Sequence, residues 1–235
     1  MKPLPVLDYH PPTDPWLDIL YLDDDLIAIN KPSGLLSNPG RDPIHYDSVF
    51  SRVIRDYPDA QLVHRLDMST SGLMILALHK EAERNLKIQF QDRKTEKVYY
   101  ARTYGVVDQI SGTVDLPLIC DWPNRPKQKV CFEHGKPSVT HYQRLSHDEQ
   151  SSLVRLRPVT GRSHQLRVHL LALGQPILGD RFYANEEGRA MAERLQLHAA
   201  ELSFFHPTTG EPMHLFAPCD FYPEAPKSTL LNEES

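Results

Sequence analysis

The sequence predicts an α+β domain in which a central mixed or antiparallel sheet is flanked by helices. Three observations carry that prediction. Short strand-like apolar runs are intermixed with helix-period stripes, strands connect through hairpin turns as well as longer crossovers, and no mononucleotide-type glycine loop follows the first strand. The chain has 235 residues, 40% hydrophobic and 24% charged, which is globular composition with enough length to bury a substantial core without disulfide staples.

In chain order, residues 1–15 hold five prolines and read as an extended arm, and 223–235 read as a flexible polar tail. The folded body is expected over 16–222. Leu17 to Leu22 and Leu26 to Asn30 form a hairpin around Asp23-Asp24-Asp25, and Lys31-Pro-Ser-Gly34 breaks the pattern. Asp47 is the expected N-cap of a helix with a stripe of Val49, Phe50, Val53, Ile54 and Tyr57, stopped by Pro58. Leu73 to Leu78 is a buried strand. Ala82, Leu86 and Phe90 mark a second helix, and Val98 to Val107 a strand. A helix is expected over 161–173, closed by Gly174 with Pro176 beyond. Leu197 to Phe205 and Met213 to Ala217 are strands joined through residues 206–210.

Several classes are disfavoured at this level. The longest apolar run has six residues, against the roughly 20 that a membrane helix requires. The first residues lack the apolar region of a secretory signal. Cys120, Cys131 and Cys219 are odd in number and widely spaced, so neither a disulfide framework nor a thiolate zinc site is expected, and a reducing cytoplasm is. His164 and His169 are five residues apart, which on a helix separates their directions by roughly 140° and argues against joint chelation of a metal.

The net charge of -5 argues, as an average, against a polyanion partner, but its distribution does not. Residues 1–30 carry -5 and 182–235 carry -6, whereas 52–105 carry +3 and 122–181 carry +6. A basic middle between acidic ends is what an electrostatic footprint for a polyanion looks like. Within it, Trp122-Pro-Asn-Arg-Pro-Lys-Gln-Lys129 combines an aromatic ring, three cations and two prolines that keep the backbone extended.

Two stretches carry chemistry. Val63-His-Arg-Leu-Asp-Met-Ser-Thr-Ser-Gly-Leu73 places Asp67 in a turn at the mouth of a buried strand. In Gly161-Arg-Ser-His-Gln-Leu-Arg-Val-His-Leu-Leu171, a helical wheel groups Arg162, Gln165 and His169 on one side and sends Arg167 the other way, between Leu170 and Leu171. A buried guanidinium requires a carboxylate nearby, and Asp67 is the acid expected to pair with Arg167.

His64-Arg-Leu-Asp67 followed by Thr70-Ser-Gly72, with Gly161 to His169 downstream, resembles the RluA-type pseudouridine synthases. Lys31-Pro-Ser-Gly-Leu-Leu36, Lys97-Val-Tyr-Tyr-Ala101, Gly179-Asp-Arg-Phe-Tyr183 and Leu197-His-Ala199 match the family pattern as well, and 116–130 resembles a branch acting on both tRNA and large-subunit rRNA. The resemblance implies a pseudouridine synthase catalytic domain with Asp67 as catalytic aspartate, Tyr99 as active-site tyrosine and Arg167 as basic partner of the aspartate. It implies tRNA and 23S rRNA stem-loops as substrates and no metal or organic cofactor; nothing in the chain demands a partner protein, so no obligatory protein partner and a monomer are expected. Arg65 is then the candidate to fill the space left by a flipped-out base, and His64, Arg125, Lys127, Lys129, Arg162 and His164 are further RNA-contact candidates. Relatives with an S4-type RNA-binding domain carry it ahead of the catalytic part, so with only an arm there this domain is expected to recognise RNA by itself. The rival reading is a noncatalytic RNA-binding module on the same fold, which would tolerate loss of Asp67.

Overall fold

The computed structural model describes residues 9–224; residues 1–8 of the expected arm and 225–235 of the expected tail lie outside the described residues. β1 (Ile19–Leu22) and β2 (Leu26–Lys31) form the expected hairpin, and Asp23 Oδ1 closes its turn by accepting from the N–H groups of Asp25 and Leu26, both at 2.8 Å. α1 (Val49–Val53) is shorter than its stripe, and its N-cap is Ser48 rather than Asp47. Ser48 and Ser51 bond reciprocally in a capping box, while the Asp47 carboxylate is taken by the fully buried Arg52 through two contacts of 2.8 Å. The same guanidinium donates to the carbonyls of Pro12 and Trp16, so the arm is pinned from within the described residues onto α1.

β3 (Gln61–Leu62) and β4 (Ser71–Ala77) follow, then α2 (Lys80–Gln91) and β5 (Glu96–Tyr104). β6 (Ser111–Asp115), β7 (Leu118–Cys120), β8 (Gln128–Val130), β9 (Val139–His147) and β10 (Ser151–Pro158) fill a region where the sequence pattern predicts no element. β9 explains why. Its inward positions include Thr140 and Tyr142, and its outward ones His141, Gln143 and Leu145, so the alternation is nearly invisible on a hydrophobic scale. α3 (Gln165–Ala172) and α4 (Glu186–Ala190) precede β11 (Leu197–Phe205) and β12 (Pro212–Phe216). α3 ends as expected, with Gly174 left-handed at φ 88°.

Ten of these strands form one sheet ordered β1-β2-β4-β11-β5-β10-β9-β6, with β3 added to β4 and β12 to β11; β7 and β8 pair separately. Among the described strands β4 and β11 alone run parallel, so the sheet is mixed and the fold is α+β. The stretches 26–29 of β2 and 73–77 of β4 read as unbroken apolar runs because both faces of these strands are covered. Leu26, Ala28, Leu73 and Ile75 pack beneath Ala82 and Leu86 of α2, and Ile27, Ile29, Met74 and Leu76 pack with Val49 and Val53 of α1. A second core joins Ala101, Val154 and Leu156 of the sheet to Leu166 and Leu170 of α3.

The parallel junction depends on Gly72. Its φ is 110°, and a Cβ there would lie 2.2 Å from the carbonyl oxygen of Ala199, so only glycine lets β4 approach β11 so closely, five residues after Asp67. Far from that junction, Asp23, Asp25 and His206 lie within ligand spacing of one another. Because His206 Nδ1 accepts from the N–H groups of Thr208 and Thr209, Nε2 carries the ring proton and donates to Asp23 at 2.9 Å. A nitrogen so protonated is not a metal ligand, and the group works as a clasp between the β1–β2 and β11–β12 turns.

Candidate active site

Where the two halves of the sheet meet, β5, the loop before β4 and the segment joining β10 to α3 enclose a cavity of about 500 Å³. Seven of the ten residues singled out from the sequence line it: His64, Arg65, Asp67, Tyr99, Arg162, His164 and Arg167.

Asp67 stands in a turn closed by the N–H of Thr70 on its own carbonyl, 3.1 Å away. The segment that follows β2 grips this turn. Lys31 Nζ and Gly34 N–H both donate to the carbonyl of Met68, Ser33 Oγ donates to that of Ser69, and Ser37 Oγ bonds Leu66 on both sides. Lys31 is fully buried, and its ammonium spends all three donors on the carbonyls of Pro32, Leu35 and Met68 at 2.8–3.0 Å. Burial nevertheless pushes its pKa down to about 7, against the pull of Asp67. The sequence offered a signal for this residue, a lysine ending a mostly apolar strand, but Lys31-Pro-Ser-Gly34 reads as a break and as part of a family match, with no role for the lysine.

The expected contact between Asp67 and Arg167 is present, with Nη1 to Oδ2 at 3.5 Å. It is the weaker half of the arrangement. Arg167 is 3% exposed and forks onto Asp180, itself 1% exposed, with Nε to Oδ2 at 2.8 Å and Nη2 to Oδ1 at 2.6 Å. Burial opposes the guanidinium charge, but the bond to Asp180 and then the field of Asp180 and Asp67 hold its pKa above the ordinary value. Asp180 has no role in the sequence reading, although Gly179-Asp-Arg-Phe-Tyr183 matches the family pattern. Gly179 seats this segment: with φ 70° it packs so tightly that a Cβ would lie 2.1 Å from the carbonyl oxygen of Arg194.

The helical wheel was right for Arg167 and wrong for the opposite face. Gln165 and His169 are as buried as Arg167, because the β9 side covers that face too: Gln165 binds Val139 and Thr140, and His169 binds Thr140 and Leu116. The exposed positions are Leu171 and Ala172.

His64 lines the cavity as a wall and not as a cation. Its Nε2 accepts from Ile75 N–H at 2.9 Å, Phe90 stacks on the ring, and burial pushes its pKa down to about 3. Tyr99 is kept a neutral phenol, its pKa raised by burial and by the carboxylate of Asp67. Arg65, Arg93 and Arg162 stand exposed around the mouth with the partly buried Lys97, so among the described residues Asp67 is the one acid lining a cavity that five cations line. Arg93 and Lys97 were missed because they lie among ordinary alternating charges, where nothing local distinguishes them. Arg125, Lys127 and Lys129 are elsewhere. They belong to the β7–β8 hairpin, where Arg125 lies over Trp122, Lys129 pairs with Asp121 at 3.2 Å, and Lys127 and Lys129 edge a separate groove of about 370 Å³ against α3.

A family model described as RNA pseudouridylate synthase matches residues 25–172, which include Asp67, Tyr99 and Arg167. The chain belongs to the RNA pseudouridylate synthase family. It resembles the RluA type of this pseudouridine synthase family most directly through curated relatives. It is 62% identical over 225 residues to the dual-specificity RNA pseudouridine synthase RluA of Vibrio parahaemolyticus, covering 94% of this chain and 90% of the relative. It is 59% identical over 215 residues to the Escherichia coli protein of the same name, covering 91% and 98%. Among solved pseudouridine synthase structures, human RNA Pseudouridylate Synthase Domain Containing 1 superposes with a TM-score of 0.74 at 30% identity, covering 88% of this chain and 85% of that one. No helix among the described residues is long and apolar enough to cross a membrane.

Proposed function

We propose that this enzyme isomerises loop uridines of structured RNA to pseudouridine, in a tRNA anticodon loop and in a loop of 23S rRNA, with Asp67 as the catalytic carboxylate. The observation that supports it is a single carboxylate facing a base-sized cavity whose mouth is ringed by cations. Chemically, the N1–C1′ bond breaks, the uracil turns and C5 bonds to C1′. The C5 proton leaves and N1 gains one, so nothing is oxidised or consumed and no cofactor is called for. An ionised Asp67 either attacks as nucleophile or removes the C2′ proton to give a glycal. Arg167 orients that carboxylate, which the fork onto Asp180 makes possible by fixing the guanidinium first.

Tyr99, as a neutral phenol, offers a flat surface for the uracil and a hydroxyl, and is a poor base. The target must leave its stack to reach the cavity, and Arg65, exposed two residues before Asp67, is our candidate to occupy the gap. Arg162, His164, His64 and the Arg125 to Lys129 hairpin supply further contacts along the RNA, the hairpin from outside the cavity. We assign the whole catalytic domain to residues 16–222, acting in the cytoplasm as a monomer with no obligatory protein partner.

The test uses RNA transcripts tritiated at C5 of uridine. Pure protein is expected to release tritium to water from tRNA and 23S rRNA stem-loops, and absence of release would sink the reading. Asp67→Asn is expected to abolish release with RNA binding intact; a variant with full turnover would remove Asp67 from the chemistry and favour the noncatalytic binding module.

A further inference from the structure

His164 stands at the N-cap of α3 with left-handed backbone, φ 55°, and its side chain makes no capping bond. A non-glycine residue in that region carries a strain of about 1–3 kcal/mol, which the surrounding structure must enforce. What the conformation achieves is to aim the ring into the cavity, where Nε2 lies 3.9 Å from Asp67 Oδ2 and Phe182 stacks on its face. The other nitrogen, Nδ1, is 2.7 Å from the hydroxyl of Tyr183, and that hydroxyl accepts from the backbone N–H of Gln128 at 2.8 Å. The oxygen already accepts from Gln128, which leaves the phenol proton available to donate to His164 Nδ1. In that arrangement the ring proton resides on Nε2, facing the carboxylate.

Gln128 sits between Lys127 and Lys129 on the β7–β8 hairpin. A line of hydrogen bonds therefore runs from the cationic hairpin, outside the cavity, to the ring that faces the catalytic aspartate. We propose that Tyr183 is a positioning residue that fixes His164 as the Nε2–H tautomer directed at Asp67, and so ties the seating of RNA on the hairpin to the orientation of the active site. The charges facing His164 are Asp67, Arg167, Asp180 and Arg65, and burial outweighs the two acids and keeps the ring neutral. The substrate half of this proposal rests on the pseudouridine synthase reading; the tautomer does not.

The experiment has two arms. In the first, NMR of the whole chain with 15N-labelled histidine, assigned with His164→Asn, reads the tautomer without substrate. Asparagine tolerates the left-handed backbone, so this variant retains the local fold. The parent is expected to show a single Nε2–H tautomer, and Tyr183→Phe is expected to show a mixture of the Nε2–H and Nδ1–H forms. An Nδ1–H ring in the parent overturns the proposal, and the parent spectrum decides this even if the variant fails to fold. In the second arm, tritium release by Tyr183→Phe is expected to lose about tenfold in kcat with KM changed less than about twofold. In a His164→Asn background the same substitution should change kcat no further. Additive losses, or a variant that keeps the single Nε2–H tautomer, would mean that Tyr183 only packs. A parent that releases no tritium defeats the enzymatic reading and leaves the tautomer result standing.

Discussion

Replacing Arg167 by methionine tests the electrostatic core of the site. The substitution keeps volume and helix propensity but deletes a guanidinium that is 3% exposed and bonded bidentately to a carboxylate 1% exposed. Breaking one partner out of a buried pair costs about 3–5 kcal/mol, because the remaining charge is stranded. Asp180 still accepts from the N–H groups of Phe182 and Tyr183, which places the cost at the lower end, about 3 kcal/mol. For a chain of this size that corresponds to a fall in melting temperature of about 6–12 °C. Thermal unfolding by circular dichroism reads it directly. Arg167→Met with Asp180→Asn should regain a good part of the stability, since no stranded charge remains, but none of the tritium release, since Asp67 still lacks its cation. A single variant that melts like the parent, or a double variant that regains turnover, would refute the argument.

Lys31→Met should destabilise the fold by about 2–4 kcal/mol, as three carbonyls lose a charged donor. Between about pH 7 and 10.5 the unfolded chain holds the Lys31 proton and the folded chain has released it, so this group's contribution to parental stability rises with pH across that window and is absent in Lys31→Met. Urea titrations at several pH values measure the slope; identical slopes in both proteins would contradict the burial argument. Gly72→Ala should lower stability by more than about 2 kcal/mol, because the methyl meets the Ala199 carbonyl at 2.2 Å and φ is unfavourable, and a crystal or circular-dichroism comparison with unchanged stability would overturn the close approach. Lys127→Ala with Lys129→Ala should reduce the slope of log binding constant against log salt by about 1.5, with no loss of sequence preference. An unchanged slope would place the hairpin outside the RNA path.

Local chemistry made much of the architecture legible. The hairpin turn of Asp23, the stripe of α2, the double-sided burial of β4 and the Gly174 stop of α3 each depend on residues within a few positions of one another. The unread region from β6 to β10 shows the complement: Thr140 and Tyr142 are inward-facing only because α3 and β10 happen to cover them. The N-cap of α1 failed for a related reason. Asp47 and Ser48 are both good caps, and the choice fell to Ser48 because Arg52, buried beneath the arm, claims the Asp47 carboxylate.

The site divides in the same way. The sequence alone determined that Asp67 lies in a turn before a buried strand, that Arg167 is a buried cation needing an acid, and that the positive charge is concentrated in the middle of the chain. Tertiary structure alone decided that Asp180 is the main partner of Arg167, that Lys31 supports the Asp67 turn from below, and that His164 is linked through Tyr183 to the cationic hairpin. The physical reason is range. Burial and turn formation are written in patterns a few residues long, whereas the choice of ionic and hydrogen-bond partner depends on which distant segments the sheet brings within about 3 Å, a distance no spacing along the chain encodes.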